Sequence, residues 1–291
     1  LPYYSELAYS LFERLNDVNE IAHPAIREAM KMLDIHEIRL TYEADLPART
    51  GLGTSSTFAV GMLNSFYALK GKYVGKHKLA EDAIYLERVL CNESGGWQDQ
   101  VAASFGGLNR IDFADNQFKV TPIIIHPDRK KLLNDSLLMF FTGVSRFSSD
   151  IQKDTMSNQQ DKIAQLKEML GLVDDAQNIL QDKHSDMNDF GRLLHHTWEL
   201  KRKTGGKITN SAIDRLYERG IKAGALGGKL LGAGGGGFLL FFVEPDKKET
   251  VLQELDELMN VPFQFEDEGT TIVHYNPIVY IPRKELDLNF D

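Results

Sequence analysis

Six consecutive small residues, Gly232-Ala-Gly-Gly-Gly-Gly237, restrict the fold of this chain more than any other feature. They follow Lys229-Leu-Leu and precede Phe238-Leu-Leu-Phe-Phe-Val243, whose length and apolar composition predict a buried strand. The run satisfies the pattern G-x-G-x-x-G, but a dinucleotide-binding fingerprint needs a helix directly after its glycines. Because a strand follows instead, we exclude a Rossmann site. We predict a glycine loop between two strands, with bare backbone that another group approaches closely.

A second glycine-rich segment, Pro47-Ala-Arg-Thr-Gly-Leu-Gly53, runs into the hydroxyl residues Thr54-Ser-Ser-Thr57. The alternation of residues 38–42 predicts a strand before it, and helical spacing predicts a helix over 54–69. The face of this helix that we expect to be buried carries Ala59, Met62, Leu63 and Phe66. Unpaired N–H groups in a first helical turn favour an anion. The same residue types also cap helices without a ligand, but consecutive hydroxyl residues after a strand favour a phosphate site, although no Walker A pattern is present.

Two carboxylates lie between the glycine-rich segments. Glu87 falls late on a predicted helix, and Asp99 follows the pair Gly95-Gly96. An isolated carboxylate is most often a solvated surface group. Phosphoryl transfer, however, needs carboxylate or hydroxyl ligands for Mg²⁺ and commonly uses an acid near the attacking hydroxyl. Beside two candidate phosphate loops, both carboxylates are therefore candidate site residues.

Charge and composition exclude several classes of protein. The chain has 291 residues, with 33 Lys and Arg against 42 Asp and Glu, and a net charge of −9. An acidic balance argues against a protein that binds the nucleic-acid backbone. No apolar run approaches the roughly 18–20 residues that span a membrane, and Cys91, the only cysteine, excludes an internal disulfide. Because no signal-peptide pattern is visible at the start, we expect a cytoplasmic protein without a membrane or nucleic-acid partner.

The remaining pattern predicts a mixed α/β first part and a second part of helices followed by a small sheet. Further helices are predicted over 24–33, 78–91, 148–181, 186–203, 210–222 and 246–259. Further strands are predicted over 106–113, 118–125 and 135–141, with short strands continuing to residue 282. The change of character predicts a domain boundary near residues 143–150.

Three ordered segments resemble motifs of the GHMP small-molecule kinases. They are Pro47…Gly51-Leu-Gly-Thr-Ser-Ser, Gly95-Gly-Trp-Gln-Asp-Gln and Lys229-Leu-Leu-Gly-Ala-Gly-Gly-Gly-Gly. Within that family, residues 45–53, 98–111 and 141–149 are most similar to bacterial D-glycero-D-manno-heptose 7-phosphate kinases. The resemblance covers nearly the whole chain, and the order of its motifs makes it specific.

The resemblance implies a two-domain α+β fold. Residues 1–145 would form an ATP-binding N-terminal domain of the ribosomal-protein S5 domain-2 type, and 146–291 a ferredoxin-like C-terminal domain. The family's first motif, with a basic residue and a Gly-Gly-Gly-Thr-Asp stretch, should stand upstream of the given start. We therefore expect the N-terminal domain to lack its first strands and this motif.

The resemblance also implies roles for individual residues. Asp99 matches the catalytic aspartate, and Ser55 with Glu87 matches the Mg²⁺ ligands. Arg146 and Gly96 would contact the sugar substrate. The residues expected to surround the ATP phosphates are Pro47, Gly51, Leu52, Gly53, Thr54, Ser55, Ser56, Gly234 and Gly235. Departures from the family pattern are Thr54 in place of serine, and Ser56 and Thr57 in place of alanines.

Other polar residues leave alternatives open. Arg146 suits a phosphate, either of the sugar or of ATP, but also an interdomain ion pair. Residues 201–210 hold the densest basic stretch, which faces either the sugar phosphate or solvent. His195-His196 lacks the i, i+4 spacing of a helical metal pair and is interpreted as structural. Trp97 lines the sugar pocket or serves packing alone.

The predicted function is that of an ATP- and Mg²⁺-dependent kinase for the anomeric hydroxyl of D-glycero-D-manno-heptose 7-phosphate. One alternative keeps this chemistry with an unphosphorylated sugar of the galactose or fucose type. Another is a catalytically inactive sensor of sugar and ATP, against which the intact Ser55, Glu87 and Asp99 weigh.

Overall fold

The computed structural model describes residues 5–45, 51–143, 162–232 and 234–276. By compactness the chain divides into two units. The described residues of the first unit are 5–45, 55–106 and 268–276, and those of the second are 51–54, 107–143, 162–232 and 234–267. The boundary predicted between residues 145 and 146 does not coincide with this division and stays a prediction.

The first unit combines a small sheet with four helices. Its elements in chain order are β1 (Ser5–Ala8), β2 (Phe12–Leu15), α1 (Pro24–Met32), β3 (Arg39–Thr41), α2 (Thr54–Leu69), α3 (Lys76–Tyr85) and α4 (Gln98–Phe105). The sheet order is β2-β1-β3, with β1 antiparallel to β2 and parallel to β3. Single turns of 3₁₀ and π-helix cover Val18–Glu20 and Leu86–Leu90.

One hydrophobic core holds the first unit together. Ala59, Met62, Leu63 and Phe66, the predicted inner face of α2, are all buried in it. They share this core with buried apolar residues of β1 and α1, represented by Leu7, Ile26 and Met30. The prediction for α2 is confirmed because its apolar spacing matches the helical period. The core fixes the position of the N-terminal turn of α2, where the hydroxyl residues lie.

The second unit contains a hairpin and a four-stranded antiparallel sheet. Its elements are β4 (Asn109–Ala114), β5 (Gln117–Pro122), α5 (Pro127–Asp135), β6 (Leu137–Phe141), α6 (Ile163–Gln181), α7 (Asn188–Arg202), α8 (Ser211–Lys222), β7 (Ala225–Leu230), β8 (Phe238–Val243), α9 (Lys248–Glu254) and β9 (Met259–Asn260). The hairpin is β4-β5, and the sheet order is β7-β8-β6-β9. Counted from β6 along the chain, the strands of this sheet stand in the ferredoxin-like order 4-1-3-2.

Glycines allow α7 and β7 to pack with their backbones in contact. A Cβ atom on Gly227 would lie 2.0 Å from the carbonyl oxygen of Gly191 and 2.7 Å from the amide nitrogen of His195. No side chain fits between the two elements at this point. The buried Trp198, Tyr217 and Phe241 fill the adjacent core. This packing places the C-terminal end of α7 beside the end of β7.

Several predicted elements differ in their bounds. The predicted helix over 246–259 is wrong in its second half, because α9 ends at Glu254 and Met259 pairs with Phe141 as part of an edge strand. The predicted helix over 78–91 ends in the π-helical turn. The short strands predicted up to residue 282 are not found in 261–276, and the remainder lies outside the described residues. No helix in the described ranges is long and apolar enough to cross a membrane.

Candidate active site

The two glycine-rich segments contact each other through their backbones. A Cβ atom on Gly232 would lie 2.7 Å from the carbonyl oxygen of Gly51, and one on Gly51 would lie 3.2 Å from that of Leu231. Gly232 also has a φ of 70°, a backbone conformation that is strained for residues with a side chain. The loop between β7 and β8 therefore supports the loop that leads into α2, as the bare backbone predicts.

The later glycines of the same loop are buried. A Cβ atom on Gly234 would lie 2.6 Å from the carbonyl oxygen of Ile208, and the N–H of Gly235 donates to that oxygen at 2.8 Å. This N–H already has a partner within the protein. Gly234 and Gly235 are buried, whereas Gly232 is exposed, and the predicted place of Gly234 and Gly235 around ATP stays a prediction.

A buried carboxylate organises the beginning of α2. Glu87 is 1% exposed. Its Oε1 accepts a hydrogen bond from Ser55 Oγ at 2.8 Å, and its Oε2 accepts from Ser56 Oγ at 2.7 Å and from Gln100 Nε2. Burying a carboxylate is costly unless it is hydrogen-bonded, and these three donors meet that need. The structure thus brings the predicted Ser55, Ser56 and Glu87 together.

Glu87 lies in a π-helical turn at the end of α3. The N–H of Cys91 donates to the carbonyl oxygen of Leu86 at 2.9 Å, an i to i−5 bond that widens the turn. Leu86 and Glu87, the first two residues of this turn, are both buried. π-Helical turns are rare in proteins, and those that occur often lie at functional sites.

Asp99 lies in the first turn of α4, one residue before Gln100. Its side chain is exposed, and Gln98 Nε2 donates to its Oδ1 at 3.3 Å. Partial removal from water raises the pKa of the Asp99 carboxyl above its ordinary value. The negative charge of Glu87 also raises this pKa, while Gln98 and the positive charge of Arg88 oppose the shift. Asp99 and Glu87 therefore interact electrostatically, with Gln100 bonded to Glu87.

Arg88 holds the loop before α4. Its Nη2 donates to the carbonyl oxygen of Gly96 at 2.8 Å, and its Nη1 donates to that of Ser94 at 3.3 Å. Gly96 itself is exposed, and a Cβ atom added there would meet no atom of the described residues within 4 Å. A side chain at position 96 would therefore meet no atom of the described residues.

The other predicted residues divide into three groups. Leu52, Gly53 and Thr54 are partly exposed and lead into α2. Pro47 and Arg146 lie outside the described residues, so their predicted roles stay predictions. The interpretation of His195 and His196 as structural agrees with their hydrogen bonds of 2.7 Å to Tyr217 and Glu168.

Two residues of this site were not identified from the sequence. Gln100 is completely buried beside Val101 in α4. A polar residue on the inner face of a predicted helix could have indicated that it belongs to a site. Arg88 follows Glu87 directly, but its reach to Gly96 depends on the π-helical turn, for which the sequence has no simple pattern.

The donor set at Glu87 suits Mg²⁺. Mg²⁺ is usually bound by one or two carboxylates, substrate phosphates and water. Glu87 Oε1 has capacity for a second partner besides Ser55, and both atoms are hard oxygen donors. Among the described residues, no three His, Cys, Asp or Glu side chains form a metal cluster by themselves. The arrangement therefore fits a metal that is held partly by a nucleotide.

Comparisons with known families agree with this geometry. Residues 16–107 match the family described as "GHMP kinases N terminal domain", and residues 175–261 match the family described as "GHMP kinases C terminal". The first match contains the Ser55, Glu87 and Asp99 site, and the second contains the loop between β7 and β8.

Relatives of this chain include kinases for sugars and sugar phosphates. The chain is 31% identical over 234 residues to D-glycero-alpha-D-manno-heptose 7-phosphate kinase of Campylobacter jejuni, covering 78% of this chain and 68% of that protein. It is 30% identical over 226 residues to the L-fucokinase/L-fucose-1-P guanylyltransferase of Bacteroides fragilis, covering 74% of this chain and 23% of that larger protein. A crystal structure of a D-glycero-D-manno-heptose 1-phosphate kinase from Bacteroides thetaiotaomicron is 26% identical, with a TM-score of 0.71 and coverage of 92% of this chain and 82% of that one. The chain belongs to the GHMP kinase family and has its α+β fold, with N- and C-terminal GHMP kinase domains.

Proposed function

We propose that this protein is an ATP-dependent sugar-1-kinase that phosphorylates D-glycero-D-manno-heptose 7-phosphate. The anomeric hydroxyl attacks the γ-phosphoryl group of ATP, and the products are ADP and the 1,7-bisphosphate. Such a product serves, in the cytoplasm, as an intermediate for nucleotide-activated heptose and surface polysaccharide. The 31% identity to a heptose 7-phosphate kinase over 78% of the chain supports this acceptor.

The observation that carries the proposal is the set of hydrogen bonds around Glu87. Two serine hydroxyls from the first turn of α2 and the amide of Gln100 fix a buried carboxylate at a helix N-terminus. The first N–H groups of a helix have no partner within the helix, and such groups favour phosphate oxygens. A phosphate site beside a fixed oxygen ligand is the arrangement that transfer from a Mg²⁺-nucleotide requires.

Ser55 and Glu87 would hold Mg²⁺ in this mechanism. When bound, the metal neutralises charge on the phosphate oxygens. Ser55 contributes its hydroxyl from the exposed side, while Ser56 and Gln100 keep the second carboxylate oxygen of Glu87 in place. The phosphates would lie along the backbone of residues 51–54. The backbone of Gly232 contacts this segment at Gly51.

Asp99 would orient the acceptor hydroxyl and accept its proton. Asp99 is exposed and lies in the first turn of α4, three residues after Gly96, where an added Cβ atom would meet no described atom within 4 Å. A raised pKa brings the group closer to the working pH, where a general base is most effective. Gly96 would leave room for the sugar, and Arg146 would bind the 7-phosphate.

A second candidate keeps the reaction but replaces the acceptor with an unphosphorylated sugar. The 30% identity to a fucokinase favours it, although that match covers only 23% of the fucokinase protein. A catalytically inactive sensor is disfavoured, because Ser55, Glu87 and Asp99 are all present and two of them are hydrogen-bonded to each other.

An ADP-release assay separates these candidates. We expect turnover with D-glycero-D-manno-heptose 7-phosphate to exceed turnover with free heptose, galactose, fucose and heptose 1-phosphate by at least about 10-fold. The free energy of one charge-assisted hydrogen bond to the 7-phosphate corresponds to a difference of this size. Phosphorus NMR should then show two phosphate signals in the product. Fastest turnover of galactose or fucose would favour the second candidate, and nucleotide binding without any turnover would favour a sensor. The Asp99→Asn variant serves as the control for background ATP hydrolysis.

A further inference from the structure

Two lysines of the second unit flank the loop between β7 and β8. Lys201 lies one residue before the end of α7, and its Nζ donates to the carbonyl oxygen of Gly232 at 2.7 Å. Lys229 lies in β7, three residues before Gly232. The close packing of α7 on β7 at Gly191 and Gly227 brings these two elements together. Lys201 and Lys229 are both partly exposed.

Carboxylates of the described residues do not neutralise either lysine. Neither Lys201 nor Lys229 has an Asp or Glu of the described ranges within ion-pair distance. Arg202, the neighbour of Lys201, already occupies the nearby carboxylates, with bonds to Glu199 at 2.8 Å and Asp214 at 3.2 Å. The protein therefore keeps two positive charges beside an exposed glycine loop without a counter-charge from its described part.

Keeping both lysines charged costs free energy when no anion is bound. Burial lowers the pKa of Lys201 to about 8, and the positive charge of Lys229 adds to the shift. Burial also lowers the pKa of Lys229. An anion between the two ammonium groups would relieve both the repulsion and the loss of water contacts. Each ammonium has three donors, and Gly232 uses one donor of Lys201.

The position of the pair indicates the chemistry of the anion. Gly232 contacts both Lys201 and the backbone of Gly51, which belongs to the loop leading into α2. We propose that Lys201 and Lys229 form a cationic subsite for a phosphoryl group at the exposed end of this loop. The inference rests on the proposed function in one respect, because it takes the ligand to be a phosphate of the acceptor or of ATP.

Titration with inorganic phosphate tests the subsite without catalysis. At constant ionic strength, we expect Lys201→Met and Lys229→Met each to weaken phosphate binding by about 10-fold or more, measured by calorimetry. Lys203→Met is the matched control, because Lys203 follows the same helix end and is exposed. Lys201→Arg and Lys229→Arg retain the charge and should retain most of the affinity, which also separates loss of charge from misfolding. Equal phosphate affinity in the methionine variants and the control would overturn the proposal.

Steady-state kinetics then identify the source of the phosphate. A rise in KM for the sugar phosphate with little change for ATP assigns the subsite to the acceptor, and the opposite result assigns it to the nucleotide. Both results support the subsite, whereas unchanged KM values for both substrates oppose it. If no heptose phosphate is turned over, the proposed acceptor is wrong, but the phosphate titration still decides whether the two lysines bind a phosphoryl group.

Discussion

At the scale of single residues, Glu87 is the most constrained side chain of the site. It is 1% exposed, and its two oxygens accept from Ser55, Ser56 and Gln100. A buried carboxylate that loses a donor retains its desolvation cost. The two serines differ in their surroundings, because Ser56 is buried and Ser55 is exposed on the side that would face a nucleotide. Adjacent hydroxyls with similar bonds are therefore expected to have different roles.

We predict that Ser55→Ala and Ser56→Ala separate metal use from stability. Ser55→Ala should raise the Mg²⁺ concentration for half-maximal activity by about 10-fold, since a ligand is lost. Ser56→Ala should lower the free energy of unfolding by about 1.5–3 kcal/mol, because a buried hydrogen bond to a charged group is lost. Activity assays over a Mg²⁺ series and urea unfolding measure the two effects. A change only in the KM for the sugar after Ser55→Ala would contradict the assignment to the nucleotide side.

Asp99 gives a second prediction at this scale. Asp99→Asn should lower kcat by roughly 10²–10⁴, the usual contribution of a positioned acid or base, and change ATP affinity only a few-fold. The acid limb of the wild-type kcat/KM profile should lie above the ordinary aspartate pKa of about 3.9, because partial desolvation and Glu87 raise the pKa of Asp99. Activity is lost as the pH falls through this value, since the base becomes protonated. Near-normal kcat in a folded Asp99→Asn protein would exclude Asp99 as the base.

At the scale of elements, the π-helical turn and the start of α4 form the frame of the site. The turn buries Glu87, and the next residue, Arg88, bonds to the loop that ends at Asp99. One guanidinium thus has two effects. It fixes the loop through Ser94 and Gly96, and its charge lowers the pKa of Asp99.

Substitution of Arg88 should separate these effects. Arg88→Gln removes the charge, so the acid limb of the kcat/KM profile should move to higher pH. Arg88→Lys keeps the charge but not the planar fork, so the limb should stay while kcat falls in both variants. A pH series of initial rates with both proteins measures this. If the limb moves equally in both, or in neither, Arg88 does not act on Asp99 through its charge.

Elements with a strong period were predictable from the sequence, and the geometry between them was not. The helix over 54–69 follows from the spacing of Ala59, Met62, Leu63 and Phe66. Helix α5 and strands β1 and β2 were not identified, because short elements with mixed composition have weak periods. Ser55, Glu87 and Asp99 follow from motifs. Gln100 and Arg88 depend on tertiary placement, which composition and spacing do not specify.

At the scale of the whole molecule, the division by compactness differs from the domain boundary predicted between residues 145 and 146. The core of the first unit includes Leu63 of α2, and a separate core in the second unit includes Leu138 of β6 and Leu239 of β8. Strand β6 pairs with β8 over its full length, from Leu137 to Phe141. The boundary predicted between residues 145 and 146 would separate β6 from the sheet to which it belongs, so the unit with which β6 unfolds distinguishes the two divisions.

We predict that calorimetry of the protein shows two unfolding transitions, and that leucine-to-alanine variants assign β6 to one of them. Each substitution at Leu63, Leu138 or Leu239 should cost about 2–5 kcal/mol, because each side chain is buried. Leu239→Ala should lower the transition of the second unit and leave the other unchanged, and Leu63→Ala should do the reverse. Leu138→Ala should behave like Leu239→Ala, since both residues share one core. A Leu138→Ala protein that instead follows Leu63→Ala would favour the boundary between residues 145 and 146. A single transition lowered equally by all three substitutions would show that the two cores unfold together, and the division by compactness would then not describe folding units.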